Sequence, residues 1–162
     1  MLFTGGELWA DVHGIVLGAI FLLAYSGGLA GLFALRAEWE TMAGLKVLMR
    51  QLIAGTSIMA MVAWLTVVTG TYIVYPLYRT EYHAVLSKTF WNTFGMEWMM
   101  HIGWIAPILA TAVAYVIVRY GTQLAREVRI REALEVLFTL AFLTAGIAGL
   151  LGALTTKALP VY

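Results

Sequence analysis

Long apolar runs, broken at regular intervals by short charged connections, set the pattern of this chain. Four stretches carry no Asp, Glu, Lys or Arg: 12–35, 51–78, 98–118 and 136–156. Each holds about 20 residues or more, enough at 1.5 Å per residue to span roughly 30 Å of hydrocarbon. Runs this long and uniform exceed what a core helix of a soluble domain needs. Hydrocarbon also leaves no partner for an unpaired backbone N–H or C=O, so helix is the structure these runs predict. The pattern predicts an all-α integral membrane four-helix bundle, one transmembrane domain over residues 1–162.

The connections differ in charge. Arg36, Lys46 and Arg50 lie between the first and second runs, and Arg119, Arg126, Arg129 and Arg131 between the third and fourth. Those seven of the ten basic residues fall on one side, leaving Arg79, Lys88 and Lys157 on the other. Cytoplasmic loops carry the excess of Lys and Arg, so the expected topology is N-out/C-out. Aromatic residues mark the same boundaries, with Trp9, Tyr75, Tyr78, Tyr82, Trp91, Trp98 and Tyr162 toward the outer face and Trp39 and Tyr120 toward the inner one. Residues 78–96 place Tyr82, Leu86, Phe90 and Trp91 at roughly helical spacing, which predicts a short interfacial helix between the second and third spans. Residues 37–46 can form a similar helix inside. Pro76 is expected to end the second helix and Pro107 to kink the third.

Composition agrees and narrows the function. Of 162 residues, 62% are hydrophobic and 12% charged, where a soluble domain carries about a quarter charged. Mean hydropathy is +0.86. A net charge of +1 offers nucleic acid no electrostatic footing. There is no cysteine, which excludes disulfides, thiolate metal sites and iron–sulfur clusters. Residues 1–9 contain no Lys or Arg, so a secretory signal with a basic leading region is not expected. No charged residue stands at the centre of any run, unlike the pathway of an ion pump or a voltage sensor.

Chemistry therefore falls to the histidines. The chain has three, His13, His83 and His101. His13 opens the first span and His101 lies about one turn into the third, so the topology sets both at similar depth near the outer face. Neutral imidazole is a good iron ligand, and two facing imidazoles hold a haem iron from both sides. Gly14 and Gly18 follow His13, leaving room for a flat macrocycle, although the same glycines fit the small-xxx-small spacing of close helix packing, as do Gly27 and Gly31. Trp104, with Trp98, Phe90 and Met99, can supply an apolar wall, and Arg79 or Lys88 can pair with propionates. A different set competes for the imidazoles. His13, His83 and His101 with Glu97 and Asp11 can bind copper, zinc or iron without haem. Glu97 and Asp11 also suit a helix N-terminus, and any of the histidines can be an ordinary interfacial residue. The polar-aromatic stretch 69–79 can line a quinone pocket or simply belong to the aromatic belt. Thr66, Thr69 and Thr71 can bond back to their own helix.

Four helices with His13 and His101 on different spans resemble the small membrane-bound b-type cytochrome subunits. That resemblance implies one haem b near the outer, periplasmic-type face, electron exchange with quinol or an external redox protein, and assembly with other membrane subunits or as a homo-oligomer. It further implies the inner (cytoplasmic) membrane of a bacterium or archaeon. No histidine lies near the cytoplasmic side, so the second haem of two-haem relatives has no ligands here. The rival to both metal readings is a cofactor-free accessory subunit whose glycine faces pack on partner helices.

Overall fold

A lipid-embedded chain must satisfy its backbone within each segment, and among the described residues every regular element is helical. The computed structural model describes residues 8–9, 11–35, 41–81 and 90–157. A π-helical turn, Val12–Val16, leads into α1, Leu17–Ala34. Helix α2, Met42–Thr69, passes through a second π turn, Gly70–Val74, into α3, Tyr75–Glu81. The third span comprises α4, Phe90–Gly103, and α5, Ile105–Tyr120, followed by a 3-10 turn, Gly121–Ala125. Helix α6 runs from Val128 to Lys157.

Four of these stretches are long and apolar enough to cross a membrane: Val12–Ala34, Met42–Thr80, Thr93–Ala125 and Val128–Thr155. They match all four runs seen in the sequence, the second and third extending theirs at both ends and the fourth beginning earlier. The second span is 39 residues, roughly 58 Å of helix, about twice the hydrocarbon thickness. It begins well before Gln51 because Thr41 caps it, its hydroxyl accepting from the Gly44 N–H at 3.1 Å. Lys46 and Arg50 thus belong to the helix. Helicity tolerates them at its exposed end, so the expected inner helix over 37–46 is, from Met42 onward, the start of α2; residues 36–40 lie outside the described residues. Of the expected interfacial helix within 78–96, residues 78–81 lie in α3 and 90–96 in α4, and residues 82–89 lie outside the described residues.

Pro76 does not end the second helix. A proline lacks the N–H for the ladder and crowds the carbonyl four residues back. The backbone answers by widening into the π turn just before it, and α3 continues through Pro76. At Pro107 the disturbance falls at Trp104, where the helical pattern breaks between α4 and α5.

Packing follows chain order. The first span lies against the second and fourth, and the third against the second and fourth. Glycines set the closest approaches. A Cβ on Gly28 would come within 2.6 Å of Phe138 Cζ, and one on Gly31 within 3.1 Å of Leu52 Cδ1. Tyr25 stacks between Phe138 and Phe142, at 5.1 and 4.2 Å between ring centroids. At one end, Arg131 Nη1 donates to the Leu35 carbonyl at 2.7 Å and the Ala125 carbonyl at 3.1 Å. This ties together the end of the first span, the end of the third and the start of the fourth. Side chains also hydrogen-bond between spans: Trp64 Nε1–H donates to Thr111 Oγ1 at 3.0 Å on the exposed side, and the Tyr25 hydroxyl donates to Thr139 Oγ1 at 3.3 Å.

Candidate functional site

The histidine end lies opposite the Arg131 clamp. His13 sits in the first π turn and is half-buried against the second span. Its Nδ1 lies 3.1 Å from Thr69 Oγ1. The ring rests on Gly70, the first residue of the second π turn; a Cβ there would stand 2.8 Å from His13 Cε1 and 3.2 Å from Nε2. Only glycine admits the imidazole so close to the helix backbone. Two π turns therefore meet through one histidine. Helix irregularities of this kind concentrate at functional sites, where they re-aim a side chain.

His101 occupies α4 on the third span and is exposed. Its Nδ1 is 2.6 Å from the Glu97 carbonyl oxygen one turn earlier. A carbonyl can only accept, so Nδ1 carries the proton and donates. Among the described residues, Nε2 of neither histidine is engaged in a hydrogen bond.

Helix register sets His13 and His101 at similar depth. A Cβ on Gly103 would meet Val67 Cγ2 at 4.0 Å, which sets the third span against the second. His101 is two residues beyond Gly103 toward the histidine end, and Gly70 is three beyond Val67. The difference is one residue, or about 1.5 Å of rise. They do not bond to each other: His13 is docked on the second span, and His101 is exposed on the third.

The remaining candidates are more scattered. A Cβ at Gly14 or Gly18 would meet nothing within 4 Å, so neither makes the close helix contact that its spacing suggested, and the space beside both is open. Trp104 packs edge-on against Trp64, 5.9 Å between centroids, on the interface of the second and third spans. Arg79 is exposed in α3. Met99 is turned to the fourth span, its sulfur 3.1 Å from where a Cβ on Gly152 would be, and so away from a ligand's position beside His13. Phe90, Phe94 and Trp98 stack in series at 5.7 and 5.4 Å along α4. Tyr72 is largely exposed, as an aromatic belt requires.

Asp11 and Glu97 are both exposed, and Glu97 serves His101 through its carbonyl rather than its carboxylate. Among the described residues no three His, Asp or Glu side chains gather as a metal-binding group. The expected non-haem set of His13, His101, Glu97 and Asp11 is therefore not assembled, and His83 lies outside the described residues. Thr69 and Gly70, which form the seat of His13, were read from sequence only as a back-bonded threonine and part of an aromatic patch. A histidine and a Thr-Gly pair at the same end of consecutive spans was the signal available.

Searches for relatives add no further constraint: no family model, curated protein or solved structure matches this chain.

Proposed function

We propose that this protein is a membrane electron-transfer subunit that binds one haem b near its outer end, with His13 and His101 as the axial ligands. The reading is carried by the hydrogen bonding of two imidazoles on non-adjacent spans, which helix register sets at similar depth, each with Nδ1 against an oxygen and no hydrogen bond at Nε2 among the described residues. Ligating histidines characteristically have this form, because a partner on one nitrogen orients the ring and leaves the other lone pair for the metal.

The donor set favours haem over a bare ion. A protein-bound ion such as zinc needs three or four protein donors, and no group of three assembles among the described residues. A macrocycle brings four nitrogens of its own and asks the protein for two. Open space beside Gly14 and Gly18 gives a flat group an approach to His13. Helices in direct contact leave only 8–10 Å between axes, but the first and third spans are separated by the second and fourth. His101 is exposed, and Arg79 is an exposed cation at that end for a propionate. When bound, the haem supplies a one-electron couple; the chain holds it near one surface and exchanges electrons with quinol or an external redox protein.

The orientation N-out/C-out completes the proposal. Seven of ten Lys and Arg residues lie in the connections or helix ends on the Arg131 side, and that end would face the cytoplasm of a bacterial or archaeal inner membrane.

Absorption spectroscopy of the detergent-purified protein is the direct test. The expected result is a Soret band that sharpens and shifts on reduction, with a b-type α band. His13→Ala and His101→Ala should each abolish or convert that spectrum, and His83→Ala should leave it unchanged. A colourless preparation carrying stoichiometric metal would refute haem in favour of a metal site, and a colourless metal-free one would leave an accessory subunit.

A further inference from the structure

The seat of His13 repeats a device found twice elsewhere in the molecule. Thr111 Oγ1 donates to the Pro107 carbonyl at 2.7 Å and accepts from Trp64. Thr139 Oγ1 donates to the Glu135 carbonyl at 2.8 Å and accepts from Tyr25. In each case the threonine spends its single proton on its own helix and offers a lone pair to a donor on the neighbouring one. Trp64 proves the direction, since an indole nitrogen can only donate. Thr69 is built the same way: its hydroxyl donates to the Leu65 carbonyl at 2.7 Å, with the Thr66 carbonyl at 3.1 Å, and His13 Nδ1 stands 3.1 Å from the same oxygen.

From this we infer that Thr69 is a positioning residue, one that fixes His13 as the Nδ1–H tautomer and so directs its Nε2 lone pair to the ligand site. With the Thr69 proton committed to the helix, the oxygen can only accept from His13, and Nδ1 must carry hydrogen. The opposite tautomer would set two lone pairs against each other. Gly70 completes the seat by letting the ring lie on the helix; a Cβ at 2.8 Å would displace it. His101 is fixed by a main-chain carbonyl alone, whereas His13 faces the Thr66 main-chain carbonyl as well as Thr69 Oγ1, and of these two partners only the Thr69 hydroxyl can be removed by substitution. The inference rests on the haem reading for its functional meaning, while the tautomer itself is a property of the chain alone.

Thr69→Val keeps the shape and loses the acceptor, and Thr69→Ser keeps the acceptor. Thr66→Val is the control, because Thr66 makes the same back-bond, to the Val62 carbonyl at 2.8 Å, without its hydroxyl being the partner of His13. In ¹⁵N-labelled protein without haem, His13 should show a protonated Nδ1 and a bare Nε2 in the native chain, in Thr69→Ser and in Thr66→Val. Thr69→Val should give mixed tautomers. With haem, Thr69→Val should bind about tenfold or more weakly and gain a carbon-monoxide-binding, high-spin fraction, with Thr69→Ser restoring the native spectrum. A native His13 tautomer in Thr69→Val, or equal effects of Thr66→Val and Thr69→Val, would overturn the inference. If the native chain takes up no haem while the tautomer still follows Thr69, the haem reading fails and the positioning role stands.

Discussion

Arg131 shows how much a single side chain can hold in a chain with so few charges. Helix ends leave carbonyls without partners, and Leu35 is fully buried at the end of α1. The Arg131 guanidinium meets that carbonyl and the Ala125 carbonyl together, and a cation at a helix C-terminus also opposes the helix dipole. Replacing it with Met keeps the length and removes both bonds. Hydrogen bonds to charged groups contribute about 1.5–3 kcal/mol, so Arg131→Met should lower the unfolding free energy in detergent by about that much, read as a fall in Tm. Arg131→Lys should recover only part of the loss, because one ammonium does not reproduce the planar fork. The sequence read Arg131 as part of the connection before the fourth span, whereas it stands in the first turn of α6, and its partners sit 96 and 6 residues away and are main-chain atoms, which carry no residue code. The same reason hid the seat of His13. That Thr69 bonds back to its helix is a local rule and was legible. Which neighbour takes the remaining lone pair depends on how two helices are rotated, which no local pattern records.

At the scale of elements, rotation about the helix axis separates the glycines. The spacing Gly27–Gly31 marked a packing face on the first span, yet the close contacts belong to Gly28 and Gly31. Gly28 fits against Phe138 and Thr56, Gly31 against Leu52, and a Cβ on Gly27 would meet nothing within 4 Å. Helix α1 is apolar all round, so hydrophobic periodicity cannot orient it, and lipid removes the contrast between inside and outside that a soluble helix displays. Gly28→Ala should therefore cost about 1–3 kcal/mol, since its methyl would overlap a fully buried ring, whereas Gly27→Ala should be near neutral or slightly stabilising. Thermal unfolding of the two variants in one detergent separates these cases, and equal effects would contradict the packing. The prolines carry a related lesson. Proline rules foresaw a disturbance near Pro76 and Pro107, and both came, but the chain absorbed the first with a π turn where a stop was expected. Gly70, which lacks a side chain, is where that turn opens and where His13 enters.

For the whole molecule, the physical contrast between hydrocarbon and water is large, and this is why the span count and the helical class were readable from charge-free runs alone. Sidedness depends on a weaker bias, and the proposed orientation can be tested without disturbing the interior. The chain has no cysteine, so a single introduced thiol reports its own position. Thr80 is exposed where the second span ends, and Gln123 is exposed in the 3-10 turn at the Arg131 end. Neither belongs to the site of His13 and His101. In intact cells or right-side-out vesicles, Thr80→Cys should react with a membrane-impermeant maleimide and Gln123→Cys should not. Opening the membrane should make Gln123→Cys react as well. The reverse pattern would place the histidine end in the cytoplasm. An electron-transfer site would then serve a cytoplasmic partner, and the excess of Lys and Arg would lie on the translocated side, against the rule that orients most helical membrane proteins. Because His13 and His101 belong to the end opposite the Arg131 clamp, the two labels fix the side of the proposed haem site as well as that of the chain.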